Sequence, residues 1–317
     1  MNFLSRDFEM SLAYFIVNGF QANPDYYGCE NFELRPPSVK RELWGAYFFA
    51  LYSICFIAIA THDLMKTPAY KAMIILGIYD ILSILVGSIA TGIMGFYGVT
   101  FCDAPLLIIV LGSIGYGAWL GCCITSFTLA VIRVLEVCDS SLAKIFDGRR
   151  IYYWLGLFTM YGFLGTFLSK PIIFSPTLMT WLFDPLVGKD PELYINYSHT
   201  VNNTFLVCGT FMLYFYLGYL FVKKSNTIGV NQISKYQIRI LLQAFFFCIF
   251  HLISAILFVY MNNVAAPEFL ILTGQITWQF GTGAVLQNPC TPRGQKNCTI
   301  RIVHEEYTVP IFLEIAI

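Results

Sequence analysis

The sequence predicts an all-α membrane protein: a bundle of seven transmembrane helices with the N-terminus outside and the C-terminus in the cytoplasm. Three observations carry that expectation. Of 317 residues, 57% are hydrophobic and only 12% charged, about half the roughly 25% of an ordinary soluble domain, and mean hydropathy is +0.65. The chain also contains seven apolar runs near the roughly 20 residues needed to cross a bilayer. Finally, its 19 basic residues are spread unevenly over the segments between those runs, as orientation by positive charge requires. A soluble enzyme, a nucleic-acid binder and a disordered scaffold are excluded as default readings. A globule of this composition would expose too much apolar surface, and zero net charge leaves no field to steer a polyanion. The first partner is the lipid bilayer.

Residues 1–42 are expected to form an extracellular N-terminal segment. Arg6 precedes an apolar stretch, but Asp7 and Glu9 interrupt it and no small-residue cleavage site follows, so it makes a poor secretory signal. Residues 21–42, with Pro24, Gly28, Pro36 and Pro37, read as a partly ordered loop. The spans are expected at about 43–60, 72–97, 104–132, 151–169, 204–222, 238–260 and 269–287, so that 43–287 is the transmembrane domain and 288–317 the cytoplasmic tail. The first is short but strongly apolar. Spans three and four are the clearest, because 104–131 and 151–169 carry no charge; the seventh is interrupted by Gly274, Gly281 and Gly283. None alternates apolar and polar residues as a barrel strand would.

With the N-terminus outside, the cytoplasmic segments hold 13 Lys and Arg and the outer ones 6. That topology also sorts the cysteines. Cys55, Cys122, Cys123, Cys208 and Cys248 fall in spans, where cysteine behaves as a small apolar residue; Cys138, Cys290 and Cys298 face a reducing cytoplasm. Cys29 and Cys102 face the oxidising side and are a disulfide candidate, against the alternative of two unpaired thiols. Of the three N-x-[ST] sequons, at Asn196, Asn202 and Asn297, Asn196 is the expected glycosylation site. Asn202 abuts span five and Asn297 is cytoplasmic.

Polar residues within spans usually mark a functional interior. Asp80 is the acid of span two, either an interior switch or cation site or a packing residue satisfied by hydroxyl neighbours. Gln275, Gln279 and Thr282 recur at i, i+4 and i+7 beside Trp278. They form a stripe that faces the bundle for ligand contact or interhelical bonding. His251 reads first as an interior histidine and second as a site. Arg133, at the cytoplasmic end of span three, is an interfacial anchor or the pivot of a switch. Catalytic machinery is not expected. Span seven has no lysine for a Schiff base, the four histidines do not cluster as metal ligands, and no Ser/His/Asp set or Gly-rich phosphate loop occurs. No cofactor or metal is expected.

Local motifs give a narrower resemblance. Thr67-Pro68-Ala69-Tyr70-Lys71-Ala72-Met73, leading to Ile78-Tyr79-Asp80, resembles the entry to helix two of the nematode serpentine chemoreceptors of class T. Thr91-Gly92 through Gly98 and Phe101-Cys102-Asp103-Ala104-Pro105 are similar to that family's turn into helix three. Trp119, Cys123 and Leu129-Ala130-Val131-Ile132-Arg133-Val134-Leu135-Glu136 resemble helix three itself. Tyr26-Tyr27-Gly28-Cys29 resembles the N-terminal element, and Asp184-Pro185, Tyr194-Ile195-Asn196, His199 and Asn202-Asn203 resemble the second extracellular loop. Gln275-Ile276-Thr277-Trp278-Gln279 is similar to helix seven.

The resemblance covers about residues 26–285. It implies a rhodopsin-like bundle that binds an extracellular small molecule and activates a heterotrimeric G protein from the plasma membrane, in sensory cilia. It adds Trp119 to Gln275, Trp278 and Gln279 as ligand-contact candidates, and implies the switch role for Asp80 and G-protein coupling for Arg133. Ile132 and Val134 flank that arginine, so the acid and tyrosine of the usual ionic lock are missing. The sequence departs from the family after Gly283, where Pro289, Pro292 and Gly294 should end a helix. A small solute transporter is the alternative function, but such proteins commonly carry internal repeats and Pro/Gly-broken helices in matching halves. Neither is present.

Overall fold

A computed structural model describes residues 3–29, 68–138, 140–228, 235–264, 266–283, 300–302 and 305–307. The first expected span (43–60), residues 284–287 of the seventh, Cys55, Cys290, Asn297 and Cys298 lie outside that set. So does the tail, apart from a short antiparallel hairpin pairing Ile300–Ile302 with Glu305–Tyr307.

Residues 3–29 of the N-terminal segment are more regular than their composition suggests, folding into α1 (Phe3–Glu9), α2 (Leu12–Val17) and α3 (Pro24–Tyr27). Ser11 starts α2 by accepting the Tyr14 N–H, and Asn23 starts α3 by accepting that of Asp25. These caps satisfy amides that a helix end leaves open. Met10, Leu12, Phe15, Tyr26 and Tyr27 are buried, and the charges that spoil a signal peptide take partners in a packed cap: Asp7 pairs with Lys170 and Glu9 accepts from the Tyr26 hydroxyl.

Among the described residues, four helical stretches are long and apolar enough to cross a membrane: Lys71–Tyr97, Pro105–Val137, Arg150–Leu168 and Tyr197–Lys223. The first comprises α4 (Pro68–Ile84), a π-helical turn (Leu85–Ala90) and α5 (Thr91–Tyr97). The second is α6 (Pro105–Val137) and the third α7 (Arg150–Leu168). The fourth joins α8 (Tyr197–Asn202), a second π turn (Asn203–Val207) and α9 (Cys208–Ile228). Two further helices follow: α10 (Lys235–Asn263), apolar over Cys248–Asn263, and α11 (Glu268–Gly283).

Contacts run from α4 to α6, on to α9, α10 and α11, and back to α4, with α7 packed on α6. Burial shows which helices are central. The apolar window of α6 is 72% buried, against 28% for α7 and 22% for the α8–α9 stretch. The outer faces of those two helices present Leu157, Met160, Phe163, Leu164, Met212 and Phe215, as lipid contact requires. Close approach of α6 to α7 depends on glycine. A Cβ on Gly117 would lie 2.7 Å from the Gly162 carbonyl oxygen, and one on Gly162 would lie 3.0 Å from that of Gly117, the small-residue contact by which membrane helices pack.

At the Cys102 end the loop between α7 and α8 turns inward. β1 (Ile173–Ser175) and β2 (Thr180–Leu182) form an antiparallel hairpin pairing Phe174 with Trp181. Both residues are buried, and the Trp181 indole donates to Thr91 Oγ1 at 2.7 Å. Disulfide-bonded Cys29 and Cys102, with Cα atoms 5.9 Å apart, tie the N-terminal cap to the same end.

Candidate ligand-binding site

A cavity of about 480 Å³ lies between α6, α10, α11 and the hairpin loop, within the roughly 300–1,000 Å³ of small-molecule sites. Its walls are aromatic: Tyr116 and Trp119 from α6, Trp181 and Phe183 from the loop, Phe258 from α10 and Trp278 from α11. Asp184 and Glu192 supply carboxylates, and His199 and Ser254 supply further polar groups.

Each wall is held from behind. The Lys170 ammonium donates to the carbonyls of Leu193 (2.8 Å) and Ile195 (3.0 Å) and pairs with Asp7 at 3.0 Å. It thereby fastens the loop to α1. Burial lowers the Lys170 pKa, and the Asp7 carboxylate opposes that shift. Tyr194 donates through its hydroxyl to the carbonyl of Tyr26, and Tyr27 packs on Phe101 with ring centroids 5.4 Å apart. Burial raises the pKa of Asp184, and the N–H of Leu186, 2.8 Å from its Oδ1, partly counters this.

The expected site residues separate into three places. Trp119 and Trp278 line the cavity. Gln275 and Gln279 lie behind it. Their amide nitrogens both donate to the Gly87 carbonyl in the first π turn, at 2.8 and 2.7 Å, while Gln275 Oε1 accepts from Thr180 at 3.1 Å. These bonds fasten α11 to the first π turn and to the hairpin. Glycine at position 87 lets the Trp278 ring pack close to the backbone: a Cβ there would lie 3.1 Å from the ring, which would have to give by a few tenths of an ångström. The side chain of Thr282 lies outside the described residues. Asp80 is fully buried away from the cavity, with the Cys122 thiol donating to its Oδ1 at 3.5 Å. Arg133 is at the opposite end of α6, partly exposed and paired with Glu136 at 3.4 Å. Among the described residues no cluster of three His, Cys, Asp or Glu could hold a metal ion.

Asn196 sits at the start of α8. The residue expected to carry a glycan is fully buried. Its Nδ2 donates to Ser169 Oγ at 3.0 Å, and its Oδ1 accepts from Ser198 Oγ (2.6 Å) and from the His199 N–H (3.0 Å). It is the N-cap of α8.

The sequence also hid a polar network at the head of the fourth stretch. Trp119 Nε1 donates to Asn203 Oδ1 at 2.8 Å, Asn202 Nδ2 donates to the same oxygen at 3.1 Å, and Tyr161 donates to Asn202 Oδ1 at 3.0 Å. Asn203 Nδ2 faces His199 Nε2 at 3.0 Å. The signal for it was the i, i+4 spacing of His199 and Asn203, which a reading of 197–203 as loop passes over.

Two comparisons bear on the whole chain. The family model for the serpentine type 7TM GPCR chemoreceptor Srt matches residues 10–288. Serpentine receptor class T-55 of Caenorhabditis elegans is 24% identical over 254 residues, covering 77% of this chain and 70% of that protein.

Proposed function

The chain belongs to the Srt family of serpentine seven-transmembrane chemoreceptors, and from that premise we propose that it binds a small molecule from outside the cell and activates a heterotrimeric G protein. The observation that carries the reading is the aromatic cavity, closed in by the hairpin loop and by helices α6, α10 and α11. Those helices run from it toward the end that carries Arg133. A ligand acts by binding one arrangement of the helices more tightly than another. Seven spans, with residues 1–42 outside, 43–287 in the membrane and 288–317 in the cytoplasm, fit the 13-to-6 distribution of basic residues and a disulfide at the Cys102 end.

In this proposal Trp119 and Trp278 contact the ligand, while Gln275 and Gln279 position Trp278 through Gly87. Asp80 is the interior switch: it is buried at a helix contact, where a charge must be neutralised or solvated by its neighbours. Arg133 couples to the G protein, since an exposed ion pair such as Arg133–Glu136 is worth roughly 0–1 kcal/mol and opens readily. The test is expression at the plasma membrane with a promiscuous G protein and a calcium reporter. A response that needs both the receptor and the G protein supports the proposal. Uptake of a labelled solute without such a response favours a transporter and overturns it.

A further inference from the structure

The end of the bundle that carries Arg133 also holds a cluster of cations with no part in the function proposed above. After α6 the chain makes a 3₁₀ turn (Ser141–Phe146) and enters α7 through Asp147-Gly148-Arg149-Arg150. Ser140 starts that turn by accepting the Leu142 N–H at 3.3 Å, and buried Phe146 packs on Trp154 with ring centroids 5.9 Å apart. The turn is thereby pinned to the start of α7. Lys71, in the first turn of α4, meets it from the other side. Its ammonium donates to the Gly148 carbonyl at 3.3 Å and lies 4.5 Å from the centre of the Tyr152 ring. The Arg150 guanidinium donates to the Lys144 carbonyl at 3.3 Å.

These contacts bring Lys71, Lys144, Arg149 and Arg150 to one short stretch of surface. None of the four forms an ion pair among the described residues: Glu136 is taken by Arg133, and the exposed Asp147 pairs with none of them. Four cations beside one carboxylate repel one another and attract a multivalent anion.

Position identifies that anion as part of a lipid. Arg149 has helical dihedrals, φ −85° and ψ −16°, so Arg149, Tyr153, Leu157 and Met160 follow one another along one face of the helix. Tyr153 is 81% exposed, and Leu157 and Met160 are also exposed. Arg149 therefore stands at the head of the stripe that α7 turns to the bilayer, where a headgroup joins its acyl chains. Tyr152, Tyr153 and Trp154 supply the aromatic belt of that depth, and Leu142 and Ile145 expose apolar side chains beside Lys144. A free phosphate would use the cations and ignore this apolar flank.

Resting on the orientation proposed above, we propose that the turn between α6 and α7 binds a polyphosphorylated inositol lipid of the cytoplasmic leaflet, where basic clusters beside a span meet anionic lipids. Its phosphates are held by Arg149, Arg150, Lys144 and Lys71, and its acyl chains run along Tyr153, Leu157 and Met160. Several phosphates on one ring match this cluster better than the single headgroup charge of phosphatidylserine, and the arginines offer bidentate donation to each phosphate.

Native mass spectrometry of the full-length protein tests this by the lipids it retains. The protein is purified in detergent and mixed with equimolar phosphatidylcholine, phosphatidylserine and phosphatidylinositol bisphosphate. The bisphosphate should be retained about tenfold over phosphatidylserine. Arg149→Gln and Arg150→Gln should each lower that retention about fivefold, the effect of one basic residue near a charged lipid. Both residues are exposed, so the melting temperature should hold, and Arg149→Lys should keep most of the binding. Lys189→Gln, which removes an exposed cation of the loop between α7 and α8, should change nothing. Soluble inositol trisphosphate should compete poorly, because it lacks the acyl chains. Equal retention of bisphosphate and phosphatidylserine, retention unchanged in both glutamine variants, or trisphosphate competing as well as the lipid would overturn the proposal. So would a loss of G-protein signalling in those variants with lipid retention intact, which would give this surface to the G protein. Retention in detergent depends neither on orientation nor on coupling, so its failure leaves the receptor reading standing.

Discussion

The Trp119 indole and the Asn203 side-chain oxygen lie 2.8 Å apart, joining α6 to the π turn that opens the fourth long helical stretch. Through that one bond an aromatic wall of the cavity sets the orientation of a buried amide, and the amide sets the tautomer of His199.

Trp119→Phe keeps the ring and deletes the donor. The Asn203 oxygen then retains Asn202 alone, and the lock on the histidine loosens. Stability should fall by about 1 kcal/mol, typical of an interhelical hydrogen bond in a membrane protein. Thermal melting of the variant checks this, and an unchanged melting temperature would contradict a stabilising bond between the two residues.

Cys29 and Cys102 close a loop with a sequence separation of 73, and restricting a loop of that length in the unfolded chain is worth about 4 kcal/mol. Replacing either cysteine with serine should sharply reduce surface expression, and replacing both should add little. Non-reducing mass spectrometry that finds both thiols unbonded in the wild type would contradict the pairing.

Asn196→Gln lengthens a fully buried cap whose amide is bonded on both sides. It should cost about 2 kcal/mol. The electrophoretic mobility of the wild type should not change on glycosidase treatment through this site. A glycosidase shift that disappears only in the variant would reverse the assignment.

Asp184 supplies a pH dependence. Burial raises its pKa in the folded state above the unfolded value, so the folded protein binds this proton more readily. The folded state is therefore penalised once pH rises through the raised pKa, and the penalty vanishes below the ordinary carboxylate pKa of about 3.9. Asp184→Asn keeps an oxygen for the Leu186 N–H and should raise the melting temperature at neutral pH by about 2 °C. The two melting curves should converge on acidification below that range. A gap that persists there would assign the effect to something other than the charge.

How far the sequence could be read depended on where each segment finds its partners. The cores of α4, α6, α7 and α9 are legible because long apolar runs, broken in α4 by Asp80, need no tertiary information to demand a bilayer. The inward stripe of Gln275 and Gln279 was legible from its i, i+4 spacing. Its partner was not, because the Gly87 carbonyl sits 188 positions from Gln275. The head of the fourth stretch was misjudged for the opposite reason. Ser198, His199, Asn202 and Asn203 read as loop until the fold supplies Tyr116, Trp119 and Tyr161 to receive them. The same packing removes Asn196 from solvent, a fact that a sequon alone cannot carry. In α1 the charged Arg6, Asp7 and Glu9 are interspersed with apolar residues, and only the loop that this segment caps shows which face is buried.

In the proposed function, occupancy of this cavity is read out by a G protein. The most direct measurement is a dose-response series in cells expressing the chain with a promiscuous G protein, challenged with a panel of small ketones, alcohols, amines and acids. Wild type and Arg133→Ala are compared at equal surface density. The expected result is a saturable calcium signal that requires the co-expressed G protein and is lost in Arg133→Ala. Accumulation of a labelled panel member in those cells, with no G-protein-dependent signal at any concentration, would contradict it.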